Sequence, residues 1–144
     1  MTNVPLVTRK LGVMQEHLRR LTERRPADVA SLRRNTLLQD ALSMSVLVVV
    51  QEAMDIALHI ASDEGWEVAS TYRDAFMVLA RHAVIVDDLA NSLGGSAQLR
   101  NRIAHGYASL DVERLWNELP QGIASFGAFG SAIAAFLQRS PAEP

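Results

Sequence analysis

The chain has no cysteine. That excludes a disulfide framework, a zinc–thiolate centre and a thiol nucleophile, and it leaves no sign of an oxidising compartment. Long apolar runs are missing as well. The best of them, Val46 to Val50, is far shorter than the roughly 20 residues that span a bilayer, and the N-terminus lacks the apolar core of an export signal. A cytoplasmic protein with no membrane contact is expected. No Walker loop, dinucleotide glycine fingerprint or Ser-His-Asp elbow occurs, so nucleotide-fold and serine-hydrolase chemistry have no footing. Gly94-Gly95 alone is too little for a phosphate loop. There is no internal repeat, no low-complexity tract and no alternating pattern long enough for a sheet.

What is present is apolar residue at helical spacing. A chain of 144 residues that is 49% hydrophobic can bury a core without disulfide or metal staples. One domain over 1–144 is predicted, with a disordered tail at about 140–144. A first helix is expected from Val4 to Arg24, with Leu6, Leu11, Val13, Met14, Leu18 and Leu21 as its apolar stripe and Pro26 beyond its end. Asp28 can cap a long second helix from about Val29 to Ser62. The β-branched run inside it would favour a strand in isolation. Flanking Leu42, Ala53, Ile56, Ala57 and Ile60 restore the helical period, and a helix apolar nearly all round calls for cover on two faces: a bundle core and a dimer partner.

Gly65 is a stop signal, and a short helix from about Ser70 to His82 should pack through Tyr72, Phe76 and Leu79. The next helix starts near Ile85. Gly94-Gly95 should interrupt it, with Ser96 capping a restart that carries Arg100 to His105 and Gly106 as the stop. Asp111 reads as the cap of a last helix to about Arg139. Leu115, Leu119, Ile123, Phe126, Phe129, Ile133 and Phe136 should face inward, with Pro120 kinking or delaying the helix and Pro141 ending it. Four main helices with short connections predict an all-α up-and-down four-helix bundle with an additional short helix.

Charge is uneven. Through residue 34 there are eight basic residues against three acids, a net +5, which leaves −7 for the rest of a chain whose total is −2. A basic N-terminal face can steer RNA or dock an acidic partner; a solvated helix surface accounts for it equally well. Lys10 is the one lysine among fourteen basic residues.

The densest chemistry lies in R-N-R-I-A-H-G-Y, Arg100 to Tyr107. Cleaving RNA without a metal uses the ribose 2′-OH as the attacking group, so protons must move and a phosphorane must be stabilised. His105 at a helix C-terminus suits general acid or base work, because the helix dipole favours its cation. Arg100 offers a permanent charge and a planar fork of donors for the phosphate. On a straight helix the two stand roughly 140° apart, so they share one phosphate only if the turn distorts, the side chains converge or a second protomer completes the site. Asn101 and His105 lie four apart on one face, which lets the amide orient the imidazole or touch the substrate backbone. Arg102 points elsewhere, toward a general RNA contact or a salt bridge. In the non-catalytic alternative Arg100 pairs with an acid, His105 caps carbonyls and Tyr107 fills a core gap.

The spacing R-x-x-x-x-H-x-Y, with Asn101 after the arginine, resembles the signature of the HepT-like toxins, a branch of the HEPN ribonucleases. The upstream Q-E-A-M-D-I-A-L-H-I (Gln51 to Ile60) and downstream L-D-V-E-R-L-W (Leu110 to Trp116) also look like that family. The resemblance implies a HEPN bundle, a homodimer with a shared cleft, and a metal-independent endoribonuclease toxin acting on tRNA or mRNA without a cofactor. It further implies a type VII toxin-antitoxin pair. In such pairs a minimal nucleotidyltransferase antitoxin, within a higher-order complex, adenylylates the motif tyrosine, here Tyr107. The rival is a non-catalytic helical nucleotide-binding or accessory subunit of a nucleotidyltransferase. His59 reads as a core or interface histidine, with Asp55 as its single candidate partner for a metal, Glu52 and Asp55 read as salt-bridged, solvent-facing or cleft-facing acids, and His17 and His82 belong to no constellation.

Overall fold

The computed structural model describes residues 1–105 and 110–139, His105 by its backbone. Among the described residues six helices follow one another: α1 (Val4–Arg24), α2 (Val29–Arg33), α3 (Thr36–Asp63), α4 (Tyr72–Arg81), α5 (Asp87–His105) and α6 (Val112–Arg139). The long α1, α3, α5 and α6 form the up-and-down bundle, and two short helices, not one, accompany them. Cross-contacts set the directions. Lys10 meets Asp55 while His17 meets Ser45, so α1 and α3 are antiparallel. Gly130 lies against Met14 while Trp116 lies against Arg25, so α1 and α6 are antiparallel too.

Caps explain most boundaries. Asn3, Asp28, Asn35, Thr71 and Asp111 each accept a hydrogen bond from the backbone N–H three residues on, satisfying a donor that the first helical turn leaves free. The expected single helix from Val29 is thereby broken. Asn35 takes an extended conformation to cap α3, and the Gln39 amide donates to the carbonyls of Leu32 and Arg33 beside the break. Gly65 ends α3 in the left-handed region with φ 71°. Gly65 N–H bonds Ser62 O while Trp66 N–H bonds Ala61 O, the paired bonds of a Schellman stop. Ala83 plays the same part after α4 with φ 59°, a conformation that costs an L-residue roughly 1–2 kcal/mol.

The core runs along α3. Leu42, Val46, Val49, Val50, Ala53, Met54, Ile56, Ala57 and Ile60 are all buried, covered by α1, α4, α5 and α6, while Leu37 and Met44 stay exposed. By length and composition α3 and α6 could each cross a membrane; their buried faces form the bundle core instead. In α1 the buried stripe is Val7, Leu11, Met14, Leu18 and Leu21. Val7 replaces the expected Leu6, and Val13 is exposed. Phe76 and Phe129 meet edge to face at 5.7 Å, whereas Tyr72 is surface-exposed and Ile123 and Phe136 are half-buried.

Two expected breaks are absent. α5 passes unbroken through Gly94-Gly95. A Cβ on Gly94 would stand 2.9 Å from Arg73 Cγ, so this glycine is where α4 lies close on α5. α6 likewise starts at Val112 and continues through Pro120, so the proline does not delay it. Pro120 lacks the N–H that would bond Trp116 O, at a usual cost of about 3 kcal/mol. Arg25 Nε fills that vacancy at 3.1 Å, and its guanidinium covers the Trp116 ring at 3.9 Å. The indole N–H in turn donates to Pro26 O at 2.9 Å.

Much of the N-terminal charge is already paired. Arg19 bonds Glu16 and Glu23, Arg20 bonds Glu16, Lys10 lies by Glu52 and Asp55, and Arg33 pairs with Glu113. Near the end of α4 a further cluster forms. His82 stacks on Trp66 at 4.0 Å, and Glu67 accepts from His82 and Arg81. The His82 bond first, then the residue's own backbone N–H and Arg81, hold the Glu67 carboxyl down to about 2.

Two outcomes follow from these contacts. Arg25→Ala should destabilise the fold by about 1–2 kcal/mol, and by less in a Pro120→Ala background, where residue 120 can bond Trp116 O itself. Denaturant titration of the double-mutant cycle checks this; strictly additive effects would show that Arg25 does not compensate for the proline. Because the Glu67 pKa is lowered on folding, its contribution is present above its ordinary value near 4.5 and is lost as pH falls toward 2. Thermal midpoints measured over that window should fall more steeply in wild type than in Glu67→Gln.

Candidate functional site

Because α5 is continuous, Arg100 to His105 sit in one helical register. Gly106 and Tyr107 lie outside the described residues, as does the tail 140–144. Arg100 and Arg102 stand roughly 200° apart on the helix and serve different neighbours.

Arg100 points toward α3 and α4. Its Nη2 donates to Gln51 Oε1 at 3.4 Å and its Nη1 to Asn101 Oδ1 at 3.2 Å. The Tyr72 ring lies 5.9 Å from its guanidinium carbon. Arg100 Nε is buried with no hydrogen-bond partner. Among the described residues no carboxylate pairs with Arg100, so the expected alternative of an acid partner is not what surrounds it. A half-buried guanidinium held, among the described residues, only by neutral acceptors keeps its charge uncompensated. That is an anion-receptive state.

The network behind Gln51 is ionic. Gln51 Nε2 donates to Asp55 Oδ1 at 3.1 Å, and Lys10 Nζ donates to Asp55 Oδ2 at 3.3 Å. Lys10 also lies 3.7 Å from Glu52 Oε2, an oxygen buried without a hydrogen bond. Both acids are therefore salt-bridged to α1. Sequence reasoning named the acids but missed Gln51 and Tyr72 as neighbours of Arg100 and Lys10 as the partner of the acids. Gln51 and Asp55 at i, i+4 were a readable signal; the interhelical contacts were not.

Arg102 faces α6. Its Nη2 lies 3.6 Å from Glu118, which also accepts from Arg114 at 2.8 Å. These side chains line an open groove of about 370 Å³ between α5 and α6, together with Ser92, Ser96 and Gln121. Asn101 is exposed and its side-chain oxygen is engaged by Arg100. Among the described residues no three His, Asp or Glu side chains converge as a metal-ligand set. His17 bonds Ser45 at 3.0 Å, and burial, then the charge of Arg20, lowers its pKa; it is far along α1 from the motif.

The family model described as "Ribonuclease HepT-like" matches residues 14–133. The chain belongs to the ribonuclease HepT-like family. Its enzyme class is accordingly that of a ribonuclease. Among its relatives, the mRNA nuclease HepT of Shewanella oneidensis is 22% identical over 130 residues, covering 90% of this chain and 97% of the relative. The tRNA nuclease HepT of Aphanizomenon flos-aquae is 24% identical over 127 residues, covering 88% and 84%. Among solved structures, a tri-AMPylated HEPN toxin of Shewanella oneidensis in complex with MNT antitoxin superposes with a TM-score of 0.82 at 22% identity, over 94% of this chain and 99% of that one. A cytosolic protein of unknown function from Bacillus subtilis gives 0.83 at 14% identity, over 99% and 96%. The HEPN fold expected from the motif is thus the fold observed.

Proposed function

We propose that this HepT-like chain is a metal-independent endoribonuclease toxin in which Arg100 binds and stabilises the scissile phosphate and His105 moves the protons. The observation that carries the assignment is the Arg100 guanidinium, held by two neutral acceptors with a buried, unused Nε. In the reaction the ribose 2′-oxygen attacks phosphorus and loses its proton to a base, the bond to the 5′-oxygen breaks, and that oxygen takes a proton. Arg100 meets the charge that grows on the non-bridging oxygens. Two proton transfers and one histidine per motif favour a homodimer, with the cleft completed by a second copy. Asn101 supports Arg100, and Arg102 is a secondary RNA contact on the α6 side.

Regulation by adenylylation of Tyr107 belongs to the same proposal. The enzyme responsible is a minimal nucleotidyltransferase antitoxin bound in a higher-order complex. The relatives named above support it: one is a tri-AMPylated toxin solved with its antitoxin. An adenylyl group two residues from His105 adds a negative phosphodiester and a bulky base where RNA must enter. The substrate is tRNA or mRNA, and the site of action is the cytoplasm.

Purified wild type, Arg100→Ala and His105→Ala should be compared on tRNA and total RNA in EDTA, with folding verified by circular dichroism. Cleavage by wild type and a loss of at least about 100-fold in both variants is expected. No cleavage by unmodified wild type, with nucleotide binding retained, would favour a non-catalytic accessory subunit; equal cleavage by all three would place the reaction elsewhere.

A further inference from the structure

We infer that Gln51 is a positioning residue for Arg100, and that its neutrality, guarded by Lys10, keeps the guanidinium open to an RNA phosphate. The inference rests on the ribonuclease role proposed above and names the device that makes the phosphate site available.

An arginine near carboxylates normally closes a bidentate ion pair with one of them. Two candidates lie within a turn of Gln51 on the same helix, Glu52 and Asp55. Neither reaches Arg100. Lys10, projecting from α1, takes Asp55 at 3.3 Å and Glu52 at 3.7 Å. The other Asp55 oxygen accepts from Gln51 Nε2. That bond fixes the amide, NH2 toward Asp55 and carbonyl oxygen toward Arg100 Nη2 at 3.4 Å. The acids thus act on the arginine only through a neutral amide. They hold its position without cancelling its charge. Arg100 is left with two neutral acceptors and no carboxylate among the described residues, so its positive charge is available to a phosphodiester.

Gln51→Glu changes the charge at nearly constant volume and therefore separates this device from packing. The carboxylate would pair with Arg100 and compete with RNA. We expect Gln51→Glu to lower kcat/KM for RNA at least about 10-fold. It should also weaken binding of a 2′-O-methyl RNA, which binds but cannot supply the attacking hydroxyl, and reduce the logarithmic salt dependence of that binding by about 0.7, the share of one phosphate contact. Gln51→Met, neutral and similar in size, should keep the salt dependence and lose only part of kcat. If Gln51→Glu fails to fold, Lys10→Met provides the second route. It releases Asp55 and Glu52, and should weaken RNA binding in the same direction.

A folded Gln51→Glu or Lys10→Met protein that binds and cleaves like wild type, while Arg100→Ala is inactive, overturns the inference and leaves the ribonuclease role standing. Equal cleavage by wild type and Arg100→Ala overturns both.

Discussion

The fold is governed by one constraint, that α3 is apolar almost all the way round. A helix with a single apolar stripe can lie on a surface, but one that buries Leu42, Val46, Val49, Val50, Met54 and Ile56 must be surrounded. α1, α4, α5 and α6 supply that cover. The β-branched run at its centre, a strand signal by local preference, stays helical because burial outweighs a propensity difference of a few tenths of a kcal/mol per residue. The polar exceptions gain meaning from this setting. Gln51, Glu52 and Asp55 occupy a part of α3 that meets Lys10 from α1 and Arg100 from α5, and Arg100 is anchored there.

Much of the bundle was legible in the sequence. The limits of α1 and the caps at Asp28 and Asp111 follow from local chemistry, and the structure agrees to the residue. The errors share a cause. Asn35, Gly94-Gly95 and Pro120 are ambiguous locally: a mid-helix asparagine or glycine pair either breaks a helix or does not, according to what packs beside it. Asn35 breaks the helix where it can cap α3 and Gln39 can reach back to the Leu32 and Arg33 carbonyls. Gly94 does not, because Arg73 fills the space beside it, and Pro120 does not because Arg25 reaches the Trp116 carbonyl. Each compensating group is another side chain, in two cases from a different helix.

The site shows the same division. The motif itself and the helical register of Arg100 to His105 were readable from spacing. Which neighbours Arg100 meets was not, since they come from residues 28 to 49 positions away in the chain, on α3 and α4. Arg100 and Arg102, almost adjacent in sequence, serve opposite sides of α5, one facing neutral acceptors and one facing Glu118. The charge environment of an arginine, more than its presence in a motif, decides whether it is a structural tie or an anion receptor.

The joint of Arg25, Pro26, Trp116 and Pro120 also bears on the order of folding. Its contacts connect residues 90 and 91 positions apart, so they close nearly the whole intervening chain into one loop. The entropy of that closure is offset by the packing of α1 directly on α6, where Gly130 lies against Leu11 and Met14. The α3–α4–α5 segment, built from near neighbours, can assemble without it. Pro120 leaves the Trp116 carbonyl without its partner inside α6 until Arg25 arrives, so this bond of a continuous helix is completed only by tertiary assembly.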